Sequence, residues 1–381
     1  MSPTVLLAAT ETPWLGTARM PRDLARAGWN VALLTPPGSL AEHSGYLHRI
    51  ARLPDNASGA QWLHAFAGTV RAVSPQLVLP CDDVTFRLLQ QLVLAPPANL
   101  QPELRRELHA LVTASLGDPA HYRSSVDKTR LPAVAEAAGV AVPPWAVVHD
   151  IDGARDFAAA HGWPVVLKRT HSSGGLGVAV CGDATRLAAE FTRLAQSAPL
   201  DLGDSETGRM LVQRHVQGRT RYFAGTAWQG RLLCGYAVDK LDGDEHGPAS
   251  VVRYWRDDAL HESAERLARA TGASGIFAPE YLHEESTGRD WLVEVNRRIT
   301  PGTHRGALFG MSSGAALLAA AQGRPAPVRE RLDAGEEHVY VSFPHEWLRN
   351  PESPALTRYP VDVPWDEPAL TEAMLALRHA S

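Results

Sequence analysis

The sequence predicts two dissimilar parts, an α/β domain built on a parallel sheet followed by an α+β region of mainly antiparallel strands. Three observations carry this reading. In the first 115 residues, short apolar runs alternate with amphipathic helical patterns, as in sheets covered by helices. Beyond residue 145, strand-like runs follow one another at hairpin spacing. Between the two lies SSVDKTRLPAVAEAAGVAVPPW, a helix that exits into extended chain.

Residues 4–9 form a short apolar strand, 18–27 an amphipathic helix and 30–35 a second strand. A helix over 62–72 leads to a third strand at 76–80. The turn after the first strand, TETPWLGTAR, lacks the GxGxxG spacing of a dinucleotide fingerprint. Asp82 and Asp83 follow the third strand, at the carboxyl edge where such sheets place ligands. They read either as a ligand-binding pair or as the cap of the next helix. Farther on, 133–138 is helical, Gly139 suits the position after the helix, and Pro143 with Pro144 ends the element. Pro132 belongs in that helix's first turn, which sets the start between positions 127 and 129. Strands are predicted at 145–149, 165–169, 178–181, 210–215, 222–228 and 232–238. A last pair, 276–283 and 291–296, flanks a turn with Gly288, and 198–209 reads as a loop. The expected domains are 1–115, 116–320 and a C-terminal segment, 321–381, packing on the core.

The formal net charge of the 381 residues is −5, with no run of like charge, which disfavours nucleic acid and anionic membranes as partners. Cys81, Cys181 and Cys234 stand apart and cannot build a disulfide framework or a CxxC metal site. The N-terminus lacks a basic, then apolar, leader. The longest uncharged stretch, 306–323, is rich in Gly, Ser and Ala and reads as a buried core helix rather than a membrane span. A cytoplasmic location is expected. Only Lys128, Lys168 and Lys240 are lysine among 37 basic residues, so lysine is kept either where a compact ammonium is hard to exchange for a guanidinium or by chance.

Val165-Val166-Leu167-Lys168 is a strand that delivers a lysine, followed by HSSGGLG and another strand. Glycine-rich turns expose backbone N–H groups that cradle phosphate oxygens, although this one is no Walker A loop, since no GKS or GKT follows. LVQRHVQG is an apolar strand breaking into a polar bend, where exposed backbone groups can read an adenine edge. Glu280 lies on one strand of the last hairpin; Glu294 and Asn296 lie on the other, pointing to one face. Three hard oxygen donors beside a lysine and a glycine loop suit Mg²⁺ on nucleotide phosphates; solvated strand-face residues are the plain alternative. Arg298 follows, able to hold a phosphoryl or carboxylate group through two bonds.

In this ordered set the sequence resembles the ATP-grasp superfamily, which includes D-alanine–D-alanine ligase, glutathione synthetase, biotin carboxylase and the carbamoyl-phosphate synthetase halves. The resemblance covers about residues 120–315. It rests on Asp127-Lys128 with Gly139 and Pro143, then PVVLK-x₅-GGLG, then LVQxxVxG, then E-x₁₃-ExN-x-R. It implies a pre-ATP-grasp α/β domain followed by an α+β ATP-grasp core. By the same resemblance, Lys128 and Lys168 contact the α- and β-phosphates. The loop with Ser172, Ser173, Gly174, Gly175 and Gly177 closes over the β- and γ-phosphates. Gln213, Arg214, His215 and Val216 line the adenine site. Glu280, Glu294 and Asn296 bind two Mg²⁺, for which Mn²⁺ can substitute, and Arg298 with Lys168 is catalytic. Two departures stand out. Thr220 occupies the position where many members carry an acid for the ribose, and Arg297 replaces the proline of the usual NPR.

The resemblance implies an ATP-dependent carboxylate–amine ligase that forms an acylphosphate and ADP, then an amide. Its partners are a small carboxylic acid and an amine, and a homodimer is one possible assembly. Alternatives are a bicarbonate-using carboxylase or carbamoyl-phosphate-type enzyme, a small-acid kinase, and a nucleotide-binding regulatory module without turnover. His304 and Arg305 are candidates for lining the substrate cleft or for supporting roles. Lys240 reads as a cleft lysine or as a surface lysine pairing with Asp239, Asp242 or Asp244.

Overall fold

A computed structural model describes residues 2–12, 15–170, 177–196, 208–243 and 248–379. The chain opens with strand β1 (Thr4–Ala8), helix α1 (Leu15–Arg26), β2 (Asn30–Thr35), β3 (Arg49–Arg52), α2 (Gly59–Val73), β4 (Leu77–Pro80), α3 (Asp83–Leu94) and α4 (Pro102–Leu116). Two short helices follow, α5 (Tyr122–Val126) and α6 (Leu131–Ala137). Next come β5 (Trp145–Val148), α7 (Ile151–His161), β6 (Val165–Arg169), β7 (Val178–Cys181), α8 (Ala184–Gln196) and β8 (Met210–Arg214). Then run β9 (Arg219–Trp228), β10 (Arg231–Gly243), β11 (Ala249–Trp255), α9 (Asp258–Ala270), β12 (Gly275–Glu284) and β13 (Arg289–Asn296). The chain closes with α10 (Ser313–Ala321), β14 (Glu337–Val341), α11 (His345–Arg349), α12 (Ala355–Arg358) and α13 (Pro368–Ala376).

Contacts divide the chain into two compact units. The larger comprises 1–119, 222–278 and 296–381, and the smaller 120–221 and 279–295. Residues 116–320 are therefore shared between them, while 1–115 and 321–381 lie together in the larger.

In the larger unit the first sheet is parallel in the order β3-β2-β1-β4, as the alternating pattern predicts. β3 escapes a pattern-based reading because its side chains are largely exposed: RIAR carries no apolar face. Val5, Leu7, Val31, Leu33, Leu77 and Leu79 form the core of this sheet, joined by Leu370 and Met374 of α13. α1 begins three residues earlier than its amphipathic pattern, at Leu15. Gly16 is what lets it pack there, since a Cβ would lie 2.8 Å from the Thr300 carbonyl oxygen. Asp82 takes the capping role: it accepts from Thr85 N at 2.7 Å and ties the β1 exit through Thr10 N and Oγ1 at 2.6 and 2.8 Å.

The six-stranded sheet runs β13-β12-β9-β10-β11-β14, and β9, β12 and β13 continue into the smaller unit. The uncharged stretch 306–323 is not one helix. A 3₁₀ segment, Thr303–Phe309, ends at Gly310 (φ +75°), and α10 starts only at Ser313. Asp23 fixes that start by accepting from Ser312 Oγ at 2.6 Å and Gly314 N at 3.0 Å. Among the described residues no helix is long and apolar enough to cross a membrane.

The smaller unit holds an antiparallel sheet in the order β5-β8-β6-β7. Val165, Leu167, Met210, Val212, Ala179 and Cys181 form one face and pack on Phe157 of α7 and Leu187 and Leu194 of α8. α6 starts at Leu131, after the predicted window of 127–129. The Asp127 carboxylate draws Thr129 N (2.8 Å) and Thr129 Oγ1 (2.7 Å) into a local turn that competes with the helix.

A buried network fixes the segment after β13 in the larger unit. Asp362 accepts from Arg305 Nε (2.8 Å), His304 Nε2 (3.0 Å) and Phe343 N (2.6 Å). Arg305 also donates to the Tyr254 hydroxyl at 2.6 Å and Ser342 Oγ at 2.9 Å. Burial opposes the Asp362 charge, but Arg305 and His304 outweigh it and hold the carboxyl below the usual carboxylate range. Its contribution to stability is therefore complete above pH ~4 and lost as pH falls toward the depressed value. Asp362→Asn should cost about 3 kcal/mol, because it leaves a buried guanidinium unmatched. Urea unfolding at pH 7 measures this, and an unchanged midpoint would show that the network adds nothing.

Candidate nucleotide and metal site

In the smaller unit, strand alternation separates packing from chemistry. Val165 and Leu167 face the α7–α8 core, so Lys168 turns to the opposite face. Val166 stands opposite Gln213, which puts Gln213 on the face of Lys168. Both side chains are buried, Lys168 at 6% and Gln213 at 3% exposure. Burial is the main cause that pushes the Lys168 ammonium down to about 8. The charge of Lys128 acts the same way, and those of Glu294 and Glu280 oppose it.

Lys128 projects from the turn organised by Asp127, and its backbone N–H donates to the Thr170 carbonyl at the exit of β6 (3.2 Å). Asp127 is fully buried and also faces Arg130 (3.3 Å) and Arg209 (3.6 Å). The Lys128 ammonium lies 3.1 Å from Glu294 Oε2. The structure therefore brings Lys128, Lys168, Glu280 and Glu294 into one electrostatic cluster, although 166 residues separate the first from the last.

The bend after β8 is built by close approach. Arg214 N donates to the Pro144 carbonyl (2.9 Å) and His215 N to that of Pro164 (3.2 Å). Val216 is buried, and a Cβ on Gly218 would collide with the His283 carbonyl oxygen. The motif glycine is thus a packing requirement. Arg214 pairs with Glu284 at 3.2 Å and lies over the Trp291 ring at 5.3 Å from its centroid. Gly177 accepts from Arg169 N at 2.9 Å, extending the β6–β7 pairing past Lys168. Ser172, Ser173, Gly174 and Gly175 lie outside the described residues.

Along β13 and beyond, Val295, Arg297 and Ile299 are buried while Glu294, Asn296 and Arg298 are only partly covered. The last two belong to the larger unit. There Arg298 Nε faces Asp83 Oδ1 at 3.2 Å. Glu11, just past β1, joins this group. Burial raises its carboxyl above the usual range, as do Asp82 and Asp83, while Arg298 lowers it. Sequence reading missed Glu11; its place at the carboxyl edge of the parallel sheet was the available signal. Arg297 is a structural cation: Nη2 donates to the Leu116 carbonyl (2.7 Å) and the guanidinium stacks near Phe86 and Phe277.

His304 and Arg305 belong to the Asp362 network. Burial, with Arg19 next, pushes His304 down to about 3, so it stays neutral. Lys240 is half-buried on β10 opposite Val252, and its neighbours Asp239 and Asp242 bind Arg253 and Arg349. Asp244 lies outside the described residues. Among the described residues no group of three or more His, Cys, Asp or Glu could hold a metal ion. Within the smaller unit Glu280 and Glu294 offer hard oxygen donors, a chemistry that fits Mg²⁺, while Asn296 belongs to the larger unit.

A family model described as the ATP-binding domain of the carbamoyl-phosphate synthase L chain matches residues 127–222. D-alanine–D-alanine ligase B of Pseudomonas syringae pv. tomato is 27% identical over 205 residues, covering 51% of this chain and 60% of that ligase. The chain thus spans about three-fifths of the length of the D-alanine ligases it matches. Among solved structures, the biotin carboxylase domain dimer of Hydrogenobacter thermophilus 2-oxoglutarate carboxylase, in complex with MgADP, ADP and bicarbonate, has a TM-score of 0.67. Its identity is 15%, with 89% of this chain and 74% of that chain covered. N5-carboxyaminoimidazole synthetase from Staphylococcus aureus, complexed with ADP, gives a TM-score of 0.62 at 12% identity, over 89% and 82% of the two chains. Sheet architecture and matched segment together define an ATP-grasp fold. The matched segment, the D-alanine ligase relatives and these neighbours support placing the chain with the ATP-grasp superfamily.

The Lys168 shift generates a pH test. A lysine that titrates near 8 in the free protein is half-neutral there, and an anionic phosphate favours its charged form. ADP binding in metal-free buffer should weaken as pH rises above 8, by up to about tenfold per unit. Calorimetry in buffers of different ionisation enthalpy would also detect proton uptake. A flat profile from pH 7 to 9.5 would remove Lys168 from the phosphate site.

Proposed function

We propose that this protein is an ATP- and Mg²⁺-dependent carboxylate–amine ligase that forms an amide through an acylphosphate. The observation that carries the reading is the meeting of Lys128, Lys168, Glu280 and Glu294 on one side of the smaller unit. Two ammonium groups suit a polyphosphate, and two carboxylates suit the cation that accompanies it.

In this reading Lys128 and Lys168 hold the α- and β-phosphates as point charges, and the 172–177 turn covers the β- and γ-phosphates. Gln213 and the bend through Val216 take the adenine. Glu280, Glu294 and Asn296 would hold Mg²⁺, which when bound neutralises phosphate charge. Arg298 steadies the transferring phosphoryl group. A substrate carboxylate oxygen attacks the γ-phosphorus and ADP departs. An amine then adds to the acyl carbon, the bond from that carbon to the bridging phosphoryl oxygen breaks, and phosphate leaves as the amine nitrogen gives up a proton. The chain contributes position and charge rather than a covalent nucleophile. Bicarbonate belongs among the test acids, because one structural neighbour was crystallised with it.

ADP release should depend on one acid, and amide formation on one amine, in a screen of small carboxylic acids and amines. Free phosphate marks a ligase, whereas a stable phosphorylated acid marks a kinase. Glu294→Gln and Asn296→Ala should each lower turnover at least a hundredfold with the fold intact. Lys168→Ala should raise the KM for ATP strongly, and Lys168→Arg should restore it only in part. Near-normal turnover of Glu294→Gln at saturating Mg²⁺ contradicts the assignment of the site.

A further inference from the structure

Glu294 has a cation of the chain itself against it. Lys128 Nζ sits 3.1 Å from its Oε2, with the lysine side chain 11% exposed and the carboxylate 33% exposed. Lys168 and Glu280 lie within electrostatic reach of this pair. A divalent ion arriving alone would add two positive charges beside two ammonium groups. It would also have to expel the ammonium from the carboxylate oxygen that it needs. A polyphosphate reverses both penalties, because it gives Lys128 another anion and supplies the missing negative charge.

The backbone of Lys128 is in no position to follow the ammonium. Asp127 is buried and bonded to Thr129, and the Lys128 N–H is bound to the Thr170 carbonyl. Movement is therefore left to the four-carbon side chain, whose rotations can carry a point charge from carboxylate to phosphate.

We infer that Lys128 is the resident counter-cation of Glu294, holding that carboxylate against a free divalent ion until a nucleotide draws the ammonium away. Metal and nucleotide then bind with positive coupling, and each raises the affinity of the other by the same factor. The inference rests on the nucleotide–metal reading of the site and adds to it an assigned function for Lys128 in the empty protein. Lys128 is here a positioning residue for the metal ligand as well as a phosphate contact.

The test is a titration with Mn²⁺, read by the electron paramagnetic resonance of the free ion, without and with saturating ADP, each set against the same titration of ADP without protein. Wild-type protein should bind Mn²⁺ alone weakly, and ADP should tighten it by about tenfold or more. Lys128→Met should bind Mn²⁺ alone about tenfold more tightly than wild type, with a smaller gain from ADP. Lys128→Arg keeps a cation on Glu294 and should retain weak binding of Mn²⁺ alone. The affinity gained in Lys128→Met should vanish when Glu294→Gln is added, which assigns the ion to this carboxylate. Lys128→Gln serves as a second neutral variant, with circular dichroism and melting checking the fold of each. Equal affinity for Mn²⁺ alone in wild type and both neutral variants, with Mn²⁺ and ADP still binding together to wild type, overturns the gate and leaves the site standing. No binding of Mn²⁺ to wild type even with ADP overturns both.

Discussion

Lys168 is buried on the face of a sheet whose other side is filled by Val165, Leu167 and Val212, and the ammonium keeps its place there because carboxylates answer it. Burial alone disfavours the charged form, and Lys128 disfavours it further. Glu294 and Glu280 oppose both effects. This compensation decides what the smaller unit can bind. With two ammonium groups and two carboxylates in electrostatic reach of one another, the proposed site would accommodate a metal-bound polyphosphate better than either component by itself. Asp127 and Thr170 fix the backbone under Lys128, so the ammonium is placed by its side chain on a held support.

The larger unit uses its charges differently. Arg297 reaches backbone carbonyls of Leu116 and Ser274 at 2.7 and 3.2 Å, joining the end of β13 to the end of α4 and the start of β12. Arg305 spends its donors on Asp362, Tyr254 and Ser342. These arginines show why the chain can be so poor in lysine: wherever a cation spans several acceptors, a planar fork with five donors does better than an ammonium. Two of the three lysines stand instead in the charged cluster of the smaller unit. Arg298 is intermediate in kind. It is paired with Asp83 in the free protein, at a sheet edge that also carries Glu11.

Much of this was legible in the sequence. The apolar runs of β1, β2 and β4 and the strand ending in Lys168 are continuous hydrophobic segments, and period-two alternation put Glu294 and Asn296 on one face. The parallel sheet and the following antiparallel region appear as read. β3 and β14 were not legible because their side chains are mostly exposed or half-covered, so no hydrophobic period marks them. The stretch 306–323 misled because composition reports burial without reporting the left-handed break at Gly310. At Arg297 the sequence shows only an arginine in place of a proline, because the Leu116 and Ser274 carbonyls that receive it lie on distant segments. The pairing of Lys128 with Glu294 joins residues too distant for any local pattern, and only the fold displays it.

If Lys128, Lys168, Glu280 and Glu294 form one nucleotide–metal site, a crystal structure of the protein with Mg²⁺ and ADP will show a metal ion coordinated by Glu280 and Glu294. Both ammonium groups will lie on phosphate oxygens, with Lys128 withdrawn from Glu294. A nucleotide bound elsewhere, or phosphates that leave both lysines untouched while Lys128 stays on Glu294, would contradict it.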